Sequence, residues 1–113
     1  MLTLDGLKAY GADTKSGMER CMNNEAFYLR LVEKSLSDTS YDKLKEAVAA
    51  NDLDAAFEAA HALKGVLGNL ALTPLYEPVS KITELLRAKE QVDYNAYVDE
   101  ILAKFGELKN LCN

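Results

Sequence analysis

The chain has 113 residues, 49% hydrophobic and 27% charged, with a net charge of −5, the composition of one soluble globular domain large enough to bury its own core. Acidity on this scale argues against nucleic acid, which needs a basic footprint, and no apolar run approaches the roughly 20 residues that span a bilayer. Residues 1–113 are therefore expected to form a single domain with neither a nucleic-acid nor a membrane partner. Met1-Leu2-Thr3-Leu4-Asp5 lacks the basic and apolar segments of a leader, so the expected compartment is the cytoplasm.

Leu4, Leu7 and Tyr10 predict a short N-terminal helix ending at Gly11, and Asp13 or Thr14 caps a second short turn through Met18, Cys21 and Met22. These short helices, within about residues 1–22, are expected to lie as lids over one end of a bundle spanning about residues 24–111. Asn24 opens a helix whose apolar residues Phe27, Tyr28, Leu31, Val32 and Leu36 recur every three or four positions. Ser37-Asp38-Thr39-Ser40 interrupts or kinks it before Tyr41, Leu44 and Val48 continue the same face.

Asn51 or Asp52 caps the next helix, with Asp54 in its first turn favourable to the helix dipole. That helix is expected to end between Leu70 and Leu72. Thr73-Pro74 starts another, striped by Leu75, Val79, Ile82, Leu85 and Leu86. Pro78 falls inside it, so the helix either begins near Glu77 or is kinked in its first turns. Asp93 caps the last, which carries Tyr94, Tyr97, Val98, Ile101, Leu102, Phe105 and Leu108. Four substantial helices joined by short breaks predict an all-α fold: an antiparallel up-and-down four-helix bundle with one or two short N-terminal helices.

Cys21 and Cys112 stand far apart and form no ligand motif, and one histidine is too few for a zinc site. No bound metal is expected, and both thiols are read as reduced.

The one histidine lies in Ala60-His61-Ala62-Leu63-Lys64-Gly65-Val66-Leu67-Gly68-Asn69. A lone histidine is usually an ordinary surface or core residue. Here, at about 100° per residue, Ala56, Ala59, Ala60, Leu63, Leu67 and Leu70 cluster about 160 to 260° around the helix from it. His61 therefore faces away from the core, with Lys64, Gly65 and Gly68 within about 60° of it. An interior glycine costs a helix roughly 1 kcal/mol relative to alanine, and these two flank the histidine. Their missing side chains leave the imidazole clear for a partner that must approach closely. That they admit a neighbouring helix fits poorly, since they lie off the apolar stripe.

An imidazole is in good part neutral and nucleophilic at physiological pH, and it can accept a phosphoryl group on a ring nitrogen. Lys64 supplies a point positive charge where phosphate oxygens would gather negative charge. Asp54 and Glu58, at about 20° and 60° from His61, oppose an incoming phosphate.

At these residues the chain resembles the histidine-containing phosphotransfer (HPt) family. The match reads His61, Leu63, Lys64, Gly65, Gly68 and Asn69-Leu70, preceded by Ala49-Ala50-Asn51-Asp52-Leu53 and Ala59-Ala60. Its specific part runs from about 49 to 72, and helical periodicity extends it loosely over about 13 to 111. Ala62 stands where the family often has a hydroxyl residue, Val66 and Leu67 where it has small or hydroxyl residues, and Ala71 where it often has glycine. These departures bear on the tuning of the phosphate site and on the helix end.

The resemblance implies a phosphorelay intermediate. His61 would accept a phosphoryl group from the aspartate of a response-regulator receiver domain, or from a sensor or hybrid histidine kinase, and pass it to another receiver. Lys64 would steady the phosphate, and Gly65 and Gly68 would permit approach. The protein would be a monomeric phosphocarrier rather than a self-sufficient enzyme, with no cofactor of its own and Mg²⁺ supplied by the receiver. Phe57, Met18, Met22 and Phe27 are the expected docking residues, with Leu4, Leu7 and Tyr28 as further candidates. Met1 and the absence of a linker favour a free-standing protein over a domain of a larger kinase. The alternative is a non-catalytic helical interaction module with an unmodified surface histidine. An autonomous hydrolase or kinase is disfavoured, because the chain has no glycine-rich nucleotide loop and no Ser/His/Asp set.

Overall fold

The chain starts most of its helices with a polar side chain one residue ahead of the first turn. In a computed structural model that describes residues 1–112, the elements are α1 (Leu4–Tyr10), α2 (Thr14–Arg20), α3 (Glu25–Ser35), α4 (Ser40–Ala49), α5 (Leu53–Asn69), α6 (Thr73–Arg87) and α7 (Tyr94–Leu111), and no strand occurs among the described residues. Thr3, Asp13, Asn24, Asp52 and Asp93 each accept a hydrogen bond from a backbone N–H in the turn that follows, at 3.0 to 3.1 Å. Such a cap contributes about 0.5–2 kcal/mol. At α4 the role passes to Asp38, whose Oδ1 accepts from Ser40 N at 2.8 Å, while Thr39 makes no side-chain cap bond.

Two open points of the sequence are resolved. Ser37-Asp38-Thr39 separates two helices rather than kinking one. By contrast, α6 runs uninterrupted from Thr73 through a buried Pro78, so it does not begin near Glu77. The ring forgoes the bond that an N–H at position 78 would have donated to the Pro74 carbonyl.

Helices α4 to α7 form the bundle. Each packs on the next, and α7 closes back on α4. The turns through residues 50–52, 70–72 and 88–93 are too short for anything but reversal, so neighbours run antiparallel. Leu44, Leu63, Leu67, Leu75, Ile82, Ile101 and Leu108 are almost wholly excluded from solvent; burying a side chain of this size contributes about 1.5–3 kcal/mol. All six residues of the apolar stripe on α5 are buried.

The N-terminal helices cover the end of the bundle at the α5–α6 turn. The Tyr10 hydroxyl donates to the Lys104 carbonyl of α7 at 2.8 Å. Asp13 N–H donates to Ala71 O at 2.9 Å. Gly11, at φ 111°, closes α1 against the Pro74 ring. From α3, the Tyr28 hydroxyl donates to Leu70 O at 2.8 Å. The Tyr28 ring occupies the space beside Gly17, where a Cβ would stand 2.5 Å from Tyr28 Cε1; glycine there is a condition of α2 packing on α3. Burial, with Cys21 and Asp13 nearby, pushes the Tyr28 hydroxyl up to about 12.

Among the described residues no helix is long and apolar enough to cross a membrane. Cys21 is buried, Cys112 is half-buried, and both are free thiols.

Candidate functional site

The side of α5 opposite its buried stripe carries His61, which is exposed. The ring of Phe57, one turn earlier, stacks on the imidazole with centroids 5.5 Å apart and planes 23° apart. Neither ring nitrogen of His61 has a hydrogen-bond partner among the described residues, so nothing in the fold occupies its lone pair.

The imidazole borders a surface cavity of about 510 Å³. From α5 the cavity is lined by His61, Lys64, Gly65 and Gly68. Tyr76 of α6 closes one side, and Asp13 and Arg20 reach in from α2 and its cap. Lys64, Gly65 and Gly68 thus share one concave surface with His61, as the helical wheel requires. Arg20 makes no ion pair among the described residues, whereas Asp13 already accepts the Ser16 N–H as a cap.

The two glycines differ in what they do. A Cβ on Gly65 would meet nothing within 4 Å, so the missing side chain leaves open space beside the ring. A Cβ on Gly68 would lie 3.3 Å from Tyr76 Cε2, so Gly68 seats the Tyr76 ring of α6. This corrects the expectation that neither glycine admits a neighbouring helix: being off the apolar stripe did not keep Gly68 out of the α5–α6 interface.

Charge around Lys64 also differs from the sequence expectation. Asp54 pairs with Lys89 at 3.6 Å, and Glu58 lines a separate cavity with Lys43 on the α4 side. The carboxylate that meets Lys64 comes from the neighbouring helix: Glu84 Oε2 stands 3.7 Å from Lys64 Nζ and 3.4 Å from Arg87 Nε. The Arg87 guanidinium in turn lies over the Phe57 ring, 5.1 Å from its centroid.

Of the expected docking residues, only Phe57 touches His61, and it is half-buried. Met22 and Phe27 are exposed, at 89% and 39%, and Met18 is half-buried on the core. None of these three lines the His61 cavity. Leu7 and Tyr28 are fully buried and offer no surface to a partner, because each fills the space between the N-terminal helices and the bundle.

Sequence reasoning missed Arg20, Tyr76, Glu84 and Arg87. The last two stand one turn apart on α6; the α5–α6 hairpin, reflected about its tight turn, brings Arg87 opposite Phe57, but it does not bring Glu84 opposite Lys64. Arg20 carried no such signal. Among the described residues no three His, Cys, Asp or Glu side chains converge as metal ligands.

An exposed imidazole with its nitrogens unengaged among the described residues, beside one cation with a weak partner there and another with none, can accept an anionic electrophile such as a phosphoryl group. No curated protein and no solved structure matches the chain. The Hpt domain family model matches residues 32–112, which include His61, Lys64 and Glu84 but not Arg20; the chain belongs to the histidine-containing phosphotransfer (Hpt) domain family.

Proposed function

We propose that this chain is a phosphorelay carrier in which His61 is the phosphoryl acceptor. A ring nitrogen attacks the phosphorus of a receiver domain's aspartyl phosphate in line. The N–P bond forms as the P–O bond to the aspartate breaks, and the aspartate leaves as a carboxylate. The reverse step hands the group to a second receiver, and a sensor or hybrid kinase is an alternative source. Family membership supports a phosphotransfer role in general. The observation that carries the assignment to His61 is its exposed, unengaged imidazole on a cavity that also holds Lys64 and Arg20.

Negative charge spreads over the equatorial oxygens of a transferring phosphoryl group. Lys64, one turn along α5, and Arg20, across the cavity, are the side chains placed to meet it. Gly65 gives the receiver room to bring its phosphoaspartate close. The chain's own residues supply the nucleophile and positive charge; Mg²⁺ belongs on the carboxylates of the receiver, and the protein acts as a carrier and substrate in the cytoplasm.

The relay can be tested by mixing the phosphorylated chain, freed of donor, with a second unphosphorylated receiver of the host. Phosphoryl group should leave this chain and appear on the receiver aspartate. If the wild-type chain takes label but yields it to none of the host's receivers, a relay role is wrong.

A further inference from the structure

The positive charge that Lys64 brings to the site is already partly engaged. Lys64 Nζ is 3.7 Å from Glu84 Oε2, and the same oxygen accepts from Arg87 Nε at 3.4 Å. Arg87 lies over Phe57, and Phe57 stacks on His61. These contacts close a circuit across α5 and α6: His61 to Phe57, to Arg87, to Glu84, to Lys64, and three residues back along the helix to His61. Glu84 is the one anion in that circuit.

We propose that Glu84 is a positioning residue of the phosphoryl site: it holds Lys64 while His61 is unmodified, competes with the phosphoryl group for Lys64 once it is modified, and so sets how long phosphohistidine persists. The inference rests on His61 being the phosphoryl acceptor. Lys64 is 28% exposed and Glu84 56% exposed, and a pair so open to water is weak. A phosphoryl group with nearly two negative charges on the neighbouring ring therefore draws on Lys64 in competition with Glu84. The carboxylate weakens the hold of that cation on the phosphate. A carrier must release what it accepts, and an anion set beside its stabilising cation keeps the phosphorylated form from becoming a sink.

The test uses phosphoramidate, a small phosphodonor that needs no partner protein, and follows the half-life of phosphohistidine after the donor is removed. Glu84→Gln keeps the size of the side chain and deletes its charge; the half-life should lengthen about twofold to fivefold. Glu84→Asp should stay near wild type. In a Lys64→Ala background the Glu84→Gln effect should shrink to less than twofold, about the scale on which independent sites add, a coupling that a purely structural role for Glu84 would not produce. Thermal unfolding of each variant checks that the bundle is intact, and Glu84→Ala provides a second charge deletion. If wild type is labelled at His61 and Glu84→Gln decays at the same rate, or lengthens the half-life equally without Lys64, Glu84 has no such role. If wild type takes no label on His61, the acceptor assignment falls and this inference falls with it.

Discussion

The imidazole of His61 stacks on the ring of Phe57, one turn earlier on α5, at a centroid separation of 5.5 Å. An exposed histidine on a helix can otherwise choose among rotamers, and a nucleophile must present one nitrogen along the line of attack. Phe57 is itself fixed beneath the Arg87 guanidinium at 5.1 Å, so a half-buried aromatic braces an exposed one.

Aromatic pairs of this kind are worth about 0.5–1.5 kcal/mol beyond the area they bury. Phe57→Ala should slow phosphoryl uptake by roughly twofold to tenfold, while Phe57→Tyr stays near the wild-type rate. Single-turnover kinetics with a phosphorylated receiver measure both, and equal rates for Phe57→Ala and wild type would remove the bracing role.

Arg20 stands outside the segment matched to the family yet lines the His61 cavity without an ion pair among the described residues. Arg20→Ala should reduce the rate of transfer severalfold and leave unfolding by urea unchanged, because an exposed side chain with no partner adds little to stability. Arg20→Lys should recover part of the loss. A rate unchanged in Arg20→Ala would show that the cavity's second cation takes no part.

Ala71 has φ 54°, in the left-handed region that alanine adopts at a cost of about 1–2 kcal/mol. Glycine, the residue the family often places here, relieves that strain but gives up part of the gain to the freer unfolded chain. Ala71→Gly should therefore raise unfolding free energy by about 0.5–1 kcal/mol, read as a higher urea midpoint at constant m-value. A lower midpoint would mean that the turn carrying the Asp13 to Ala71 bond is not strained.

The alkaline limit of the fold follows from its buried phenols. Tyr28 is raised from 10.0 to about 12 by burial first, then by Cys21 and Asp13, and Tyr10 and Tyr41 are also held well above the usual phenol range by burial. The unfolded chain loses these protons from about pH 10 upward, while native Tyr28 keeps its own until about pH 12. Stability should be insensitive to these groups below about pH 10 and then fall, the Tyr28 contribution being lost between pH 10 and 12 and the fall continuing above it through Tyr10 and Tyr41. Tyr28→Phe should cost about 1 kcal/mol at neutral pH, through the lost bond to Leu70 O, and make the alkaline fall shallower, the rest belonging to Tyr10 and Tyr41. Urea titrations at stepped pH measure both effects; an unchanged alkaline slope would contradict the assignment to Tyr28.

The parts of this molecule that were legible in its sequence are those fixed within one helix. The apolar stripe of α5, the outward placement of His61 and the caps at Asn24, Asp52 and Asp93 follow from periodicity and from side chains acting one turn away. What periodicity does not contain is register between helices. Phe57 and Arg87 straddle the Leu70 to Leu72 turn nearly symmetrically, so an antiparallel hairpin would have found that pair, whereas Lys64 and Glu84 stand 6 and 12 residues from the turn and meet only through the reach of their long side chains. Gly68 was misread for the same reason: the wheel showed it away from the stripe but could not show Tyr76 arriving from α6. Arg20 depends on how α2 folds back over the bundle, through Gly17 against Tyr28 and Asp13 against Ala71, and no local pattern encodes that.

The most direct test of the acceptor assignment is to incubate the chain with a phosphorylated receiver domain and map the label by mass spectrometry under alkaline conditions. One acid-labile, alkali-stable phosphoryl group should appear, located on His61 and absent from His61→Gln. Label that survives in His61→Gln, or no label from any of the host's receivers, would rule His61 out as the acceptor.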